Sequence, residues 1–259
     1  MANDFSQDAN CKALWNFESG AVPFLADSKG GNTLTNSGVD EDTSDYKQGS
    51  CSAGLIRFNS DYLDITNANL DSGFPLKSGE SNKTFSLAFW VKFDAINVGQ
   101  NIIGFPPSGS GLLSFLVTLN EFGTDGKLYL HLSSNGTSWT ESLFHATALT
   151  TGRWYHVGIT YDNSDYSVRI RIWDDTAGAI HGTDKTSTED DISIGAGILT
   201  LSWSTLTSAL GGNLDEMVVF NDVLTTDEID AIRAGTYGDE APGNAGIMTT
   251  NTGCWGATY

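Results

Sequence analysis

The feature that most limits what this chain can fold into is a side-chain period of two, which recurs along nearly its whole length. In "TFSLAFWVKF" the apolar set is Phe85, Leu87, Phe89, Val91 and Phe93; in "WYHVGITY" it is Tyr155, Val157, Ile159 and Tyr161. In "SVRIRIWD", Val168, Ile170 and Ile172 alternate with Arg169 and Arg171. Successive side chains of an extended chain leave opposite faces, so each run offers one face to a core. Further strands are predicted at "KALWNFE", "GLIRFN", "YLDI", "GLLSFLVTL", "KLYLHL", "DISIGAG" and "LDEMVVFN", separated by Gly, Asn and Ser turns. Asn135-Gly136 suits both positive-φ positions of a type I′ turn, which predicts a tight hairpin there. Many short strands without helical periodicity predict an all-β protein, a two-sheet antiparallel jelly-roll sandwich.

One segment departs from this rule. In "LTTDEIDAIRAG", Thr225 and Glu228 have capping-box spacing, Leu224 and Ile229 form a hydrophobic staple, and Gly235 stands where a C′ residue belongs. A short C-terminal helix is expected. Beyond it the sequence has no period, so the domain is expected to occupy residues 1–237 and an extended tail residues 238–259, either anchored at Cys254, Trp255 and Tyr259 or a floppy terminus.

The 259 residues, 39% of them apolar, suffice for one domain with a substantial core. With 13 Lys and Arg against 32 Asp and Glu, the formal charge is −19. That argues against nucleic acid or an anionic bilayer as partner, because both are gripped by clustered cations. No apolar run approaches the ~20 residues of a membrane span, so no membrane insertion is expected. "MANDFSQDANCK" has neither the basic nor the apolar region of a signal peptide. Three cysteines are too few for a disulfide framework. Cys11 and Cys51 would pair if their strands were neighbours, with Cys254 left over.

In order along the chain, "ALWNFESGAVPFLADSKGGNTLTNSG", "TFSLAFWVKF", "GRWYHVGITYD", "RIRIWDD" and "GNLDEMVVFNDVLTTDEIDAI" resemble laminin-G-like domains of the concanavalin A-like lectin/glucanase superfamily. The resemblance covers roughly residues 11 to 237 and implies two antiparallel sheets, in agreement with the alternation. On that reading "GRWYHVGITYD" is a central strand covered on both faces, and His156 is a packed, hydrogen-bonded core residue.

Glucan-cleaving members of the superfamily carry carboxylates at alternate positions of one strand, so that acid and nucleophile share a cleft ~5–5.5 Å apart. The Glu-x-Asp-x-x-Glu pattern is absent, and Asp215 and Glu216, adjacent on a strand, are expected to face opposite sides. No serine elbow, zinc-binding histidine spacing or phosphate loop is present. A non-enzymatic protein is expected. The resemblance also implies one structural Ca²⁺ pinning the N-terminal loop to a late strand, with Glu18, Asp27 and Asp215 on the matching segments. The plainer alternative gives Asp27 an Asx-turn and Asp215 a backbone amide.

Sugar sites join aromatic platforms to amides and carboxylates. Loops at "NVGQNIIGFPPSGSG", "SSNGTSWTES" and "ILTLSWSTLTSALGG" offer Asn101, Phe105, Trp139, Glu141 and Trp203 as ligand-binding candidates, unless the rings simply fill the fold. The favoured function is a surface-displayed recognition or adhesion module for a glycan or cell-surface polysaccharide, extracellular or on a virion surface. The alternatives are a structural decoration protein of a virion or other surface assembly, reaching its partner through the tail, and a glycan-cleaving hydrolase.

Overall fold

The computed structural model describes residues 3–19, 24–105, 112–120, 124–203 and 208–238. The tail beyond Gly238, with Cys254 and any contact to a surface assembly, lies outside them.

Among the described residues, sixteen strands form two antiparallel sheets. One nine-stranded sheet contains β1 (Cys11–Trp15), β3 (Asp40–Asp42), β4 (Ser52–Leu55), β6 (Phe85–Phe93), β11 (Trp154–Tyr161), β12 (Ser167–Asp174), β13 (Ala179–Ile180), β14 (Lys185–Thr188) and β16 (Gly212–Phe220). The seven-stranded sheet runs β10 (Glu141–Phe144), β9 (Leu128–Leu132), β8 (Phe115–Leu119), β7 (Gln100–Gly104), β15 (Leu199–Ser202), β5 (Tyr62–Ile65), β2 (Thr35–Ser37). Strands β6, β11 and β16 are its sister sheet's centre: β11 pairs with β6 and β12, and β6 pairs with β16.

The alternation places the core. Phe85, Leu87, Phe89, Val91 and Phe93 meet Tyr155, Val157, Ile159 and Tyr161 in one cluster between the sheets. Val117, Leu119, Leu128, Leu130 and Leu132 supply the opposing wall. Helix α1 (Thr226–Ala234) then covers the outer face of the nine-stranded sheet. Its capping box is formed, Gly235 closes it at φ 72°, and Leu224, Ile229 and Ile232 bury against Ala88, Val218 and Phe220. Gly158 leaves room for this: a Cβ there would press into Ile229.

Several local expectations give way to tertiary detail. β9 and β10 are joined by residues 133–140 rather than by a two-residue turn. Gly136 has φ 72°, but Asn135 has no positive φ. Its Oδ1 instead accepts from the Thr137 and Ser138 amides, and the side-chain carbonyl makes the turn. "DISIGAG" forms no strand, whereas the supposed loops around Asn101 and Leu201 contain β7 and β15. Cys11 and Cys51 are both buried and unbridged; Cys51 Sγ donates to Phe17 O. Both β1 and β4 border β16, at different parts of its length, so the two thiols are not brought side by side. His156 is packed as expected, 5.0 Å from the Trp90 ring centroid, yet its Nε2 has no hydrogen-bond partner.

Candidate functional site

The outer face of the seven-stranded sheet is built by register. Asn101 pairs with Thr118, Thr118 with Tyr129, and Tyr129 with Phe144. One step along, Gly104 pairs with Leu116, Leu116 with His131, and His131 with Ser142. Directly paired residues share a face, and Leu128, Leu130 and Leu132 point into the core, so both rows face outwards.

The rows carry a continuous run of rings. Tyr129 and Phe144 lie 5.3 Å apart, Tyr129 and His131 6.0 Å apart and nearly parallel, and His131 and Trp139 5.8 Å apart. Phe144 is 43% exposed and Lys127 Nζ sits 4.9 Å from its ring centroid. Tyr129 donates its hydroxyl to Asp125 at 2.9 Å, which fixes the ring's tilt. Beneath them His131 is buried between two hydroxyls, Thr118 Oγ1 at 3.1 Å from Nε2 and Ser142 Oγ at 2.9 Å from Nδ1. Burial pushes its pKa down to about 4, so the ring is neutral and one nitrogen donates while the other accepts.

Of the five ligand candidates in the sequence, Asn101 and Trp139 reach this surface. Trp203, half-buried, follows β15 at its Asn101 end. Phe105 is fully buried in the core, edge-on to Phe115, and has no surface to offer a ligand. Glu141 turns away from Trp139 towards Glu189; burial first, then that neighbour, raises its pKa. Sequence reasoning missed Tyr129, His131, Thr118, Ser142 and Phe144. The signal was present in "LYLHL": if the three leucines face in, Tyr129 and His131 face out.

The proposed metal ligands separate likewise. Asp27 is fully engaged: Oδ1 accepts from the Leu14 and Lys29 amides and Oδ2 from the backbone and side chain of Asn32. Asp215 lies elsewhere, at a bulge where the β16–β6 register slips before Val218 and Glu216 adopts φ 47°. The bulge breaks the simple alternation expected of this pair. Burial pushes Asp215 up to about 7 and Glu216 up to about 8, with the Glu18 carboxylate adding to both and Asp215 to Glu216. Asp215 Oδ2 accepts from the Lys47 and Gln48 amides, Glu18 accepts from Ser50, and so residues 47–50 are strapped down. Asp215 Oδ1 is buried without a partner. Among the described residues no three His, Cys, Asp or Glu side chains enclose a metal position. A hard cation at Asp215 would therefore draw on Glu18 or Glu216 and complete its shell with carbonyls and water.

A model of the laminin-G type within the concanavalin A-like lectin/glucanases superfamily matches residues 59–230. The chain belongs to this superfamily. Among curated proteins no sequence relative matches. Domain 4 of the extracellular arabinanase AbnA from Geobacillus stearothermophilus, solved with arabinotriose, superposes at TM-score 0.58 and 18% identity, over 86% of this chain and 98% of that one. The botulinum neurotoxin serotype G binding domain gives TM-score 0.60 at 15% identity, over 87% of this chain. This lectin-like chain spans about half (51%) of the toxin domain's length. At these identities the likeness is one of fold. Among the described residues, no helix of this laminin-G-like domain is long and apolar enough to cross a membrane.

Proposed function

We propose that this laminin-G-like domain is a non-enzymatic, surface-displayed glycan-binding module. Its ligand lies across the rings of Trp139, Tyr129 and Phe144 and hydrogen-bonds to Asn101 and the hydroxyls beside His131. The observation that carries the reading is the run of rings on one outer face. Flat rings stack on the apolar faces of pyranoses, and polar side chains between them select hydroxyl orientation. The arabinotriose complex of AbnA domain 4, and a type C botulinum neurotoxin whose cell entry depends on two ganglioside molecules (TM-score 0.57), lend the fold's precedent. The rings are also left clear by α1, which, with Asp4 and Tyr237 hydrogen-bonded beside it, lies on the opposite side of the sandwich. The non-enzymatic reading draws support from the carboxylate that touches the rows, Asp125, which is engaged by the Tyr129 hydroxyl.

A glycan array followed by calorimetry tests this. A hit whose affinity falls about tenfold or more in both Trp139→Ala and Tyr129→Ala, with melting unchanged, is expected. Hits indifferent to both variants overturn the site. The same reading assigns the Asp215 centre one structural Ca²⁺, supported by the orphaned Oδ1. Chelation is then expected to lower the melting temperature of the wild type but not of Asp215→Asn, and an unchanged wild-type midpoint removes the ion.

A further inference from the structure

A second cleft, of about 630 Å³, opens on the far side of the sandwich, where β12 and β14 meet the segment leading into α1. Its volume lies within the ~300–1,000 Å³ typical of small-molecule sites. Seven of its eleven lining residues bear hydroxyls and none bears a carboxylate, although the chain holds 32 Asp and Glu. Asp227 and Glu228, in the first turn of α1, face a separate cleft beside the N-terminal segment.

The floor is a cross-strand row. Thr160 pairs with Arg169 and Arg169 with Thr186, while Ser167 pairs with Thr188 beside them. Thr160 is 4% exposed, and its side chain lines the cleft. A hydroxyl both donates and accepts, so this one can serve a ligand or solvent group in the cleft. Arg169 uses Nη1 to hold Asp184 at 3.0 Å, and no other hydrogen bond joins its guanidinium to a described residue. Asp184 is shared with Arg171, which also binds Asp230. That arrangement fixes one edge of the Arg169 fork and leaves the other for a planar or tetrahedral oxyanion.

We propose that this cleft is a second saccharide site, selective for a sugar unit carrying one carboxylate or sulfate. The anion meets the free edge of Arg169, and the sugar hydroxyls meet Thr160, Thr186 and Thr188. Hydroxyl side chains both donate and accept, as sugar hydroxyls require, and the lack of acidic lining lessens the repulsion that a net charge of −19 imposes elsewhere. The site is independent of the aromatic rows, and a module with both would bridge two glycan segments.

The test is calorimetry and amide-shift NMR on the full chain, with a glucuronate-containing disaccharide, its neutral glucosyl counterpart and sodium sulfate as probes. The glucuronate probe is expected to bind at least tenfold tighter than either of the others. Thr160→Val and Arg169→Gln should each weaken it tenfold or more, Arg169→Lys should restore only part of the loss, and Trp139→Ala should leave it unchanged. Melting curves confirm that each variant is folded. No saturable binding, equal binding of the neutral sugar or of bare sulfate, or loss in Trp139→Ala would overturn the proposal; the last result would move the ligand to the aromatic rows and leave that reading standing.

Discussion

The two sheets share one core and differ in what their outer faces are asked to do. The outer face of the nine-stranded sheet is covered: α1 and Phe5 seal Ala88, Val218 and Phe220, and the strap at residues 42–50 is held to Lys92, Trp154 and Asp215. The outer face of the seven-stranded sheet carries rings over hydroxyls, with Phe144 at its edge 43% exposed. Covering a face with apolar side chains yields stability. Leaving rings at the surface of the other sheet makes contact area available to a partner. The β12–β14 edge, beside the start of α1, is where the covered sheet opens again.

The sharpest way to break this comparison uses neighbours on β9. Leu130→Ala, facing in, is expected to cost about 3–5 kcal/mol in urea denaturation. Tyr129→Ala, facing out, should cost under about 1 kcal/mol and act on glycan binding instead. Equal losses would mean the two faces are not distinct in kind. Ile229→Ala, which thins the cover over Gly158, should cost about 2–4 kcal/mol, again with no effect on the ring surface.

The next effect concerns pH. His131 is held near 4 when folded, against about 6.5 for the free side chain, so its proton binds the unfolded chain better. The stability it contributes is complete above about pH 6.5 and is lost as pH falls towards 4. At pH 5 the loss is about 2 kcal/mol relative to pH 7. Asp215 and Glu216, whose pKa values are raised, act with the opposite sign in this window. The quantity to measure is therefore the difference in pH slope between the wild type and His131→Gln: identical slopes would show that His131 is not buried neutral. The smallest change expected is Thr225→Ala, which removes one half of the capping box and should cost about 1 kcal/mol.

Much of the fold was legible because its signals are local. The alternation in "TFSLAFWVKF" and "WYHVGITY" named the inward residues of β6 and β11, and Thr225, Glu228 and Gly235 marked both ends of α1. The site was legible only in part. Trp139 was visible as a ring beside a turn, but Phe105 was assigned to a loop because "NVGQNIIGFPPSGSG" hides β7, and Asn135 was given a turn geometry that its own side-chain carbonyl displaces. Glu141 looked like a companion of Trp139, yet its pairing with the inward-facing Leu132 turns it away from the ring surface, towards Glu189.

By itself the sequence determined two layers, the inward face of each long strand and the single helix, because period and capping are written within a few neighbouring residues. The tertiary structure decided which strands pair and in what register, and therefore that Asn101, Tyr129 and Phe144 share a row, that Asp27 and Asp215 stand apart, and that Arg169 meets Thr160. Those are meetings between residues far apart along the chain, set by hydrogen bonds between strands and by what packs over each sheet, and no local pattern encodes them.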